Sequence, residues 1–95
     1  MSPAEPRTVS LLISGPILRT DLRGLCDRVC RLLDRSGASV ACCDVSELEV
    51  DAMTVDALAR LQLAARRHGC SVRLARASAE LRELIAFMGL EDVLR

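Results

Sequence analysis

The reading turns on Val40 to Arg60, V-A-C-C-D-V-S-E-L-E-V-D-A-M-T-V-D-A-L-A-R. Ser39 to Val45 is an apolar run too short for a helix, and it is flanked by Gly37 and an acidic segment. That pattern marks a buried strand. Ser46 to Val50 reads as the connection, and Asp51 or Thr54 caps a helix that runs to about His68. Leu58, Leu61 and Ala65 form the inner line of this helix, while Arg60, Arg66 and Arg67 face out.

Outward from this unit, strands and helices alternate. Thr8 to Ser14 is a β-rich run closed by the turn pair Gly15-Pro16, and Ile17-Leu18 is read as extending a neighbouring strand. Thr20-Asp21 supplies a cap and an acidic first turn for a helix with Leu22, Leu25, Cys26, Val29, Leu32 and Leu33 on one stripe. Ser36-Gly37 ends it. Ser71 to Ala75 alternates like a strand with Arg73 outward. Ser78 caps a last helix whose stripe is Leu81, Leu84, Ile85 and Met88, stopped by Gly89. Helices between successive strands imply βαβ crossovers and a largely parallel sheet.

The 95 residues set an expectation of one domain over 8–95, behind a disordered leader over 1–7 marked by Pro3 and Pro6. The leader lacks the basic start and apolar core of a signal peptide. Net charge is zero, the 13 basic residues are all Arg, and Phe87 is the one aromatic. The core must therefore be aliphatic. A neutral balance without aromatic platforms weighs against nucleic acid as a partner. No apolar span has membrane-crossing length, so no direct membrane insertion is expected. With no signal sequence, the five cysteines read as reduced thiols in the cytoplasm.

The order of these anchors resembles the STAS domain of anti-sigma-factor antagonists. They are Gly15 after the early strand, Asp44 at the end of the central one, Asp51 before the second helix, His68-Gly69 after it and Gly89-Leu90 near the end. The resemblance implies an α/β fold: a small, mixed, four- to five-stranded sheet with three or four helices packed mainly on one side. It also implies a protein-binding module that docks on an anti-sigma factor or serine kinase through the start of its second helix. In the family that helix opens with Asp-Ser-Ser-Gly-Leu, and phosphorylation of the second Ser breaks the complex. The matching residues here are Asp51, Ala52, Met53, Thr54 and Val55. A thioether cannot take a phosphate, so the usual switch residue is lost.

The contact region implied by the resemblance comprises Glu47, Glu49, Asp51, Ala52, Met53, Thr54, Val55 and Asp56. Its carboxylates read either as a solvated helix start or as a docking surface for a basic partner. Met53 reads as an interface residue, because the preceding Asp holds the helix start at the surface. Thr54 is the alternative phosphoacceptor, although one residue along a helix turns a side chain by about 100°. Its plainer reading is an N-cap or a solvated helix residue.

Cys42 and Cys43 read as small hydrophobes on opposite faces of a strand, against a redox or metal-binding pair. Cys26 and Cys30, four apart on one helix, lack a further ligand pair and form a weak zinc signal. His68 with Cys70 suggests a nucleophile pair without an orienting acid. No enzyme signature is found, and no cofactor or metal is expected. Two further readings stay open, an accessory subunit docked on a transporter ATPase and a small-molecule or lipid-binding STAS protein. A homodimer is a further option.

Overall fold

Alternating β-rich runs and amphipathic stripes organise the computed structural model, which describes residues 7–94. The elements are β1 (Thr8–Gly15), α1 (Arg19–Ser36), β2 (Val40–Leu48), α2 (Ala52–Arg67), β3 (Ser71–Ala75) and α3 (Ala79–Phe87). The leader expected over 1–7 lies outside the described residues except for Arg7. That residue is tied in, because its carbonyl accepts from Ser39 N at 3.0 Å and Val40 N at 3.2 Å.

Among the described residues the sheet has three strands in the order β1-β2-β3, and both pairings are parallel. A mixed sheet of four to five strands is not what these residues form. Ile17-Leu18, read as part of a further strand, is instead the link into α1. Ile17 is buried in the core, and Leu18 is the extended residue ahead of the helix, with no side-chain cap. Thr20-Asp21 therefore lies inside the first turn rather than ahead of it. Asp21 still places its charge where the helix dipole favours it.

The sheet is two-sided. Ile13, Ala41, Cys43, Val45 and Val72 are buried on one face, where α1 and α2 pack against the strands and against each other, and α3 packs on α2. Ser10, Leu12 and Arg73 alternate with them and are exposed. From α1, Val29 and Leu33 are wholly buried, each contributing about 1.5–3 kcal/mol relative to exposure. Gly37 ends the helix in the left-handed region at φ 65°, as its lack of a Cβ permits.

One irregularity decides the region after β2. Leu12 pairs with Asp44, but Ser14 pairs with Glu47, so β2 carries one residue more than β1 across this step. The extra residue flips the side-chain alternation. Ser46 and Glu47 both become exposed and Leu48 turns into the core. The strand thus extends three residues beyond Val45, and the expected connection over Ser46 to Val50 shrinks to Glu49 and Val50.

A buried carboxamide holds the far side of the sheet. Gln62, on α2, is 4% exposed. Its Oε1 accepts from Val72 N at 2.7 Å, and its Nε2 donates to Val72 O at 2.9 Å and to Val93 O at 3.0 Å. The side chain thereby stands in for a neighbouring strand along the β3 edge and ties in the C-terminal segment.

Candidate functional site

Asp51 starts α2 from an extended backbone (φ −146°, ψ 168°). Its Oδ1 accepts from Thr54 N at 2.7 Å, and its carbonyl accepts from Val55 N at 3.2 Å. These bonds satisfy two amides that a helix start leaves without intrahelical partners. Glu47, Glu49, Asp51 and Ala52 are exposed around the cap, and Met53 beside them is 37% exposed. Neither Glu47 nor Glu49 forms an ion pair among the described residues. Asp56 does, with its Oδ2 2.8 Å from Arg60 Nε one turn along the exposed side. The exposed carboxylates of the β2 end and the cap thus precede an accessible thioether in the chain, and the Asp56–Arg60 pair follows it.

Two residues of the expected contact region lie beneath that surface. Val55 and Thr54 are fully buried. Thr54 is neither the cap nor a solvated helix residue, because it lies four residues before Leu58, on the inward stripe of α2. Its hydroxyl has no hydrogen-bond partner. The backbone N–H of Thr54 takes the Asp51 carboxylate, and its Oγ1 is left in an apolar setting. Transfer of a phosphoryl group to that oxygen would require the helix start to open.

Asp44, the anchor at the end of the regular β2 pairing, lies on the open face of the sheet. Hydrogen bonding from Ser46, whose N lies 2.9 Å from Oδ1, holds its carboxyl below the usual carboxylate range. The Arg76 guanidinium at 3.9 Å acts in the same direction.

The cysteines fall into separate environments. Cys43 is sealed in the core, where burial pushes its thiol up to about 12. Cys42 is half-covered on the opposite face of the same strand. Burial raises Cys26 and Cys30 as well; Cys30 and Asp27 raise Cys26 further, and Asp34 and Asp27 do the same to Cys30. No group of three metal-ligating side chains occurs among the described residues. Cys70 Sγ lies 3.5 Å from His68 O and 3.6 Å from Ala38 O, so its contact with His68 is to the backbone and not to the imidazole. That geometry activates no nucleophile. No helix among the described residues is long and apolar enough to cross a membrane.

Gln62 and the burial of Thr54 escape a reading by motif, although period alone contains both. Gln62 follows Leu58 by four residues and is a polar residue on an inward-facing position.

The family model described as "Mlab, STAS domain" matches residues 2–95. No curated protein matches the chain significantly in sequence. Among solved structures, the NMR structure of the protein TM1081 superposes with a TM-score of 0.74 at 10% identity, covering 93% of this chain and 71% of that one. The anti-sigma factor antagonist SpoIIAA in its unphosphorylated form gives 0.66 at 13% identity, covering 99% and 83%. The phosphorylated form of SpoIIAA, a Bacillus cell fate determinant, gives 0.62 at 13% identity, covering 99% and 86%. At these identities the structural likeness speaks to the fold.

Proposed function

The chain belongs to the STAS domain family, and from that premise we propose that it is a non-catalytic protein-binding module that docks through the start of α2 without a serine phospho-switch. The observation that carries this reading is the chemistry at the helix start. SpoIIAA, with which the chain shares its fold, is described in unphosphorylated and phosphorylated forms. Here Met53 occupies the position that the family resemblance assigns to the phosphoacceptor, and the next hydroxyl, on Thr54, is buried. A phosphate would add about two negative charges to an already acidic stretch, and no exposed hydroxyl in Asp51–Asp56 can receive one. The contact is therefore constitutive, or regulated by other means.

The docking surface is Met53 framed by Glu47, Glu49, Asp51 and Ala52. A flexible thioether adapts to a partner's apolar pocket, and the carboxylates select a basic surround. The partner is an anti-sigma factor or a related serine kinase, and the protein acts in the cytoplasm in the regulation of transcription. A constitutive contact also suits a permanent subunit, which favours a second reading as an accessory subunit docked on a transporter ATPase.

Binding of purified anti-sigma kinases and transporter ATPases from the same genome, measured for wild type, Asp51→Ala and Met53→Glu, tests these readings. Met53→Glu should weaken the cognate contact at least about tenfold, or about 1.4 kcal/mol, with no change in fold. Mg-ATP should leave the complex intact. Release of the partner with phosphate mapped onto Asp51–Asp56 would end the constitutive reading. Equal binding by Met53→Glu would move the contact elsewhere.

A further inference from the structure

The two edges of the sheet are treated differently. Gln62 covers the β3 edge by bonding both the N–H and the C=O of Val72. The β1 edge, among the described residues, pairs only on its β2 side. Alongside that free edge runs a groove of about 650 Å³ between Leu11–Ser14 of β1 and one stripe of α1. The stripe reads Asp21, Leu25, Arg28, Leu32 and Arg35, with alternating steps of four and three, and Arg31 joins the lining. Leu12 is 55% exposed and Leu32 is 37% exposed. The groove thus has apolar walls, outward-facing strand amides and three guanidiniums against one carboxylate.

We propose that this groove is a second docking site, separate from the start of α2, and that it takes an extended peptide segment of a partner protein by strand addition. The segment is one in which every second residue, on the face turned to α1, is by turns apolar and acidic. Its backbone continues the sheet beside β1, its apolar side chains meet Leu25 and Leu32, and its carboxylates meet Arg28, Arg31 and Arg35. The composition of the groove selects this occupant over two others. An aliphatic amphiphile would match the leucines and arginines but would bury the outward amides and carbonyls of β1 without partners, at the desolvation cost of each. A second copy of the chain, paired edge to edge, would bring two sets of these arginines along one seam.

The test is a titration of the isotopically labelled full chain with a short synthetic peptide of repeating Val-Thr-Glu-Thr, which sets Val and Glu on one face, followed by amide chemical shifts. Shifts should centre on Leu11–Ser14 and on the Asp21 to Arg35 stripe. Arg28→Glu combined with Arg35→Glu, both at exposed positions, should weaken binding about tenfold or more at unchanged Tm. A peptide N-methylated at every residue should not bind. The proposal is overturned if Leu11–Ser14 do not respond at millimolar peptide. It is equally overturned if the Lys-for-Glu peptide or the N-methylated peptide binds as well. Tighter binding of dodecyl phosphate at the same amides would assign the groove to an amphiphile. A concentration-dependent dimer with the same amides protected would assign it to a second copy.

Discussion

Replacing Gln62 with Leu tests how the α2–β3 interface is held. Leucine has a similar volume and fits an apolar site, so the change removes hydrogen bonds without opening a large cavity. It strands three backbone groups: Val72 N–H, Val72 C=O and Val93 C=O, now bonded at 2.7, 2.9 and 3.0 Å. The two on Val72 are buried, and each costs about 1–3 kcal/mol when left unpaired. The third is part-buried and adds less. Set against about 1–2 kcal/mol gained by burying an aliphatic side chain, the net loss is about 2–4 kcal/mol. For a domain of this size that lowers Tm by roughly 10–25 °C. Urea and thermal denaturation measure the loss, and hydrogen exchange at Val72 localises it. Gln62→Glu refines the test. Its carboxylate would face two carbonyls, so its folded pKa is raised above the ordinary Glu value and its stability should recover as pH falls through that raised pKa. If Gln62→Leu unfolds within about 0.5 kcal/mol of wild type, with Val72 exchange unchanged, the carboxamide does not hold this edge.

Thr54→Val removes a buried hydroxyl that has no partner and should raise stability by about 1 kcal/mol. A loss of similar size in urea denaturation would show that the hydroxyl is hydrogen-bonded. The lowered pKa of Asp44 means that its charged form is favoured in the fold, so its contribution is complete above about pH 4 and disappears as pH falls through the lowered folded value. Asp44→Asn should therefore be the less stable protein at neutral pH, and the gap should close only on strong acidification. A gap that widens below about pH 4 would contradict this sign. Cys43, with its thiol pushed up to about 12, is thiolate at pH 8 in roughly one molecule in ten thousand. Iodoacetamide should modify it only at the rate of unfolding, and rapid native labelling mapped to Cys43 would show that the strand is open.

The elements were legible where local chemistry and period agree. The Asp51 and Ser78 caps, the Gly37 stop and the Leu81 and Ile85 stripe all stand where the sequence puts them. What escaped depends on residues distant in the chain. The register shift opposite Ile13 carries β2 on to Leu48, and no local signal in Ser46-Glu47-Leu48 announces it. Ile17-Leu18 looks β-like by composition, yet Ile17 serves the core from a link, where tertiary burial outranks propensity. The number of strands was carried by family resemblance rather than by residues, and the described residues form three. At the candidate site, the family motif maps onto the contiguous stretch Asp51 to Val55, and Asp56 continues it. A helix turns each successive side chain by about 100°, so a contiguous stretch cannot be all surface. Thr54 and Val55 fall on the inward side, and the accessible part reduces to Met53 and its acidic frame.

The central position of β2 has a kinetic consequence. Both ladders use it, through pairings such as Thr8 with Val40 and Val40 with Ser71, and each is reached only across an intervening helix. Among the described residues no hairpin joins neighbouring strands, so loop closure precedes each of these strand contacts. The transition state for folding must then hold β2 against at least one crossover helix. Of the two, α2 brings far more buried side chains than α1. Changes in the inward stripe of α2 will slow folding, whereas changes in α1 and at the β1 edge will chiefly hasten unfolding. The open edge can thus fray and re-form on a molecule whose other half is already built.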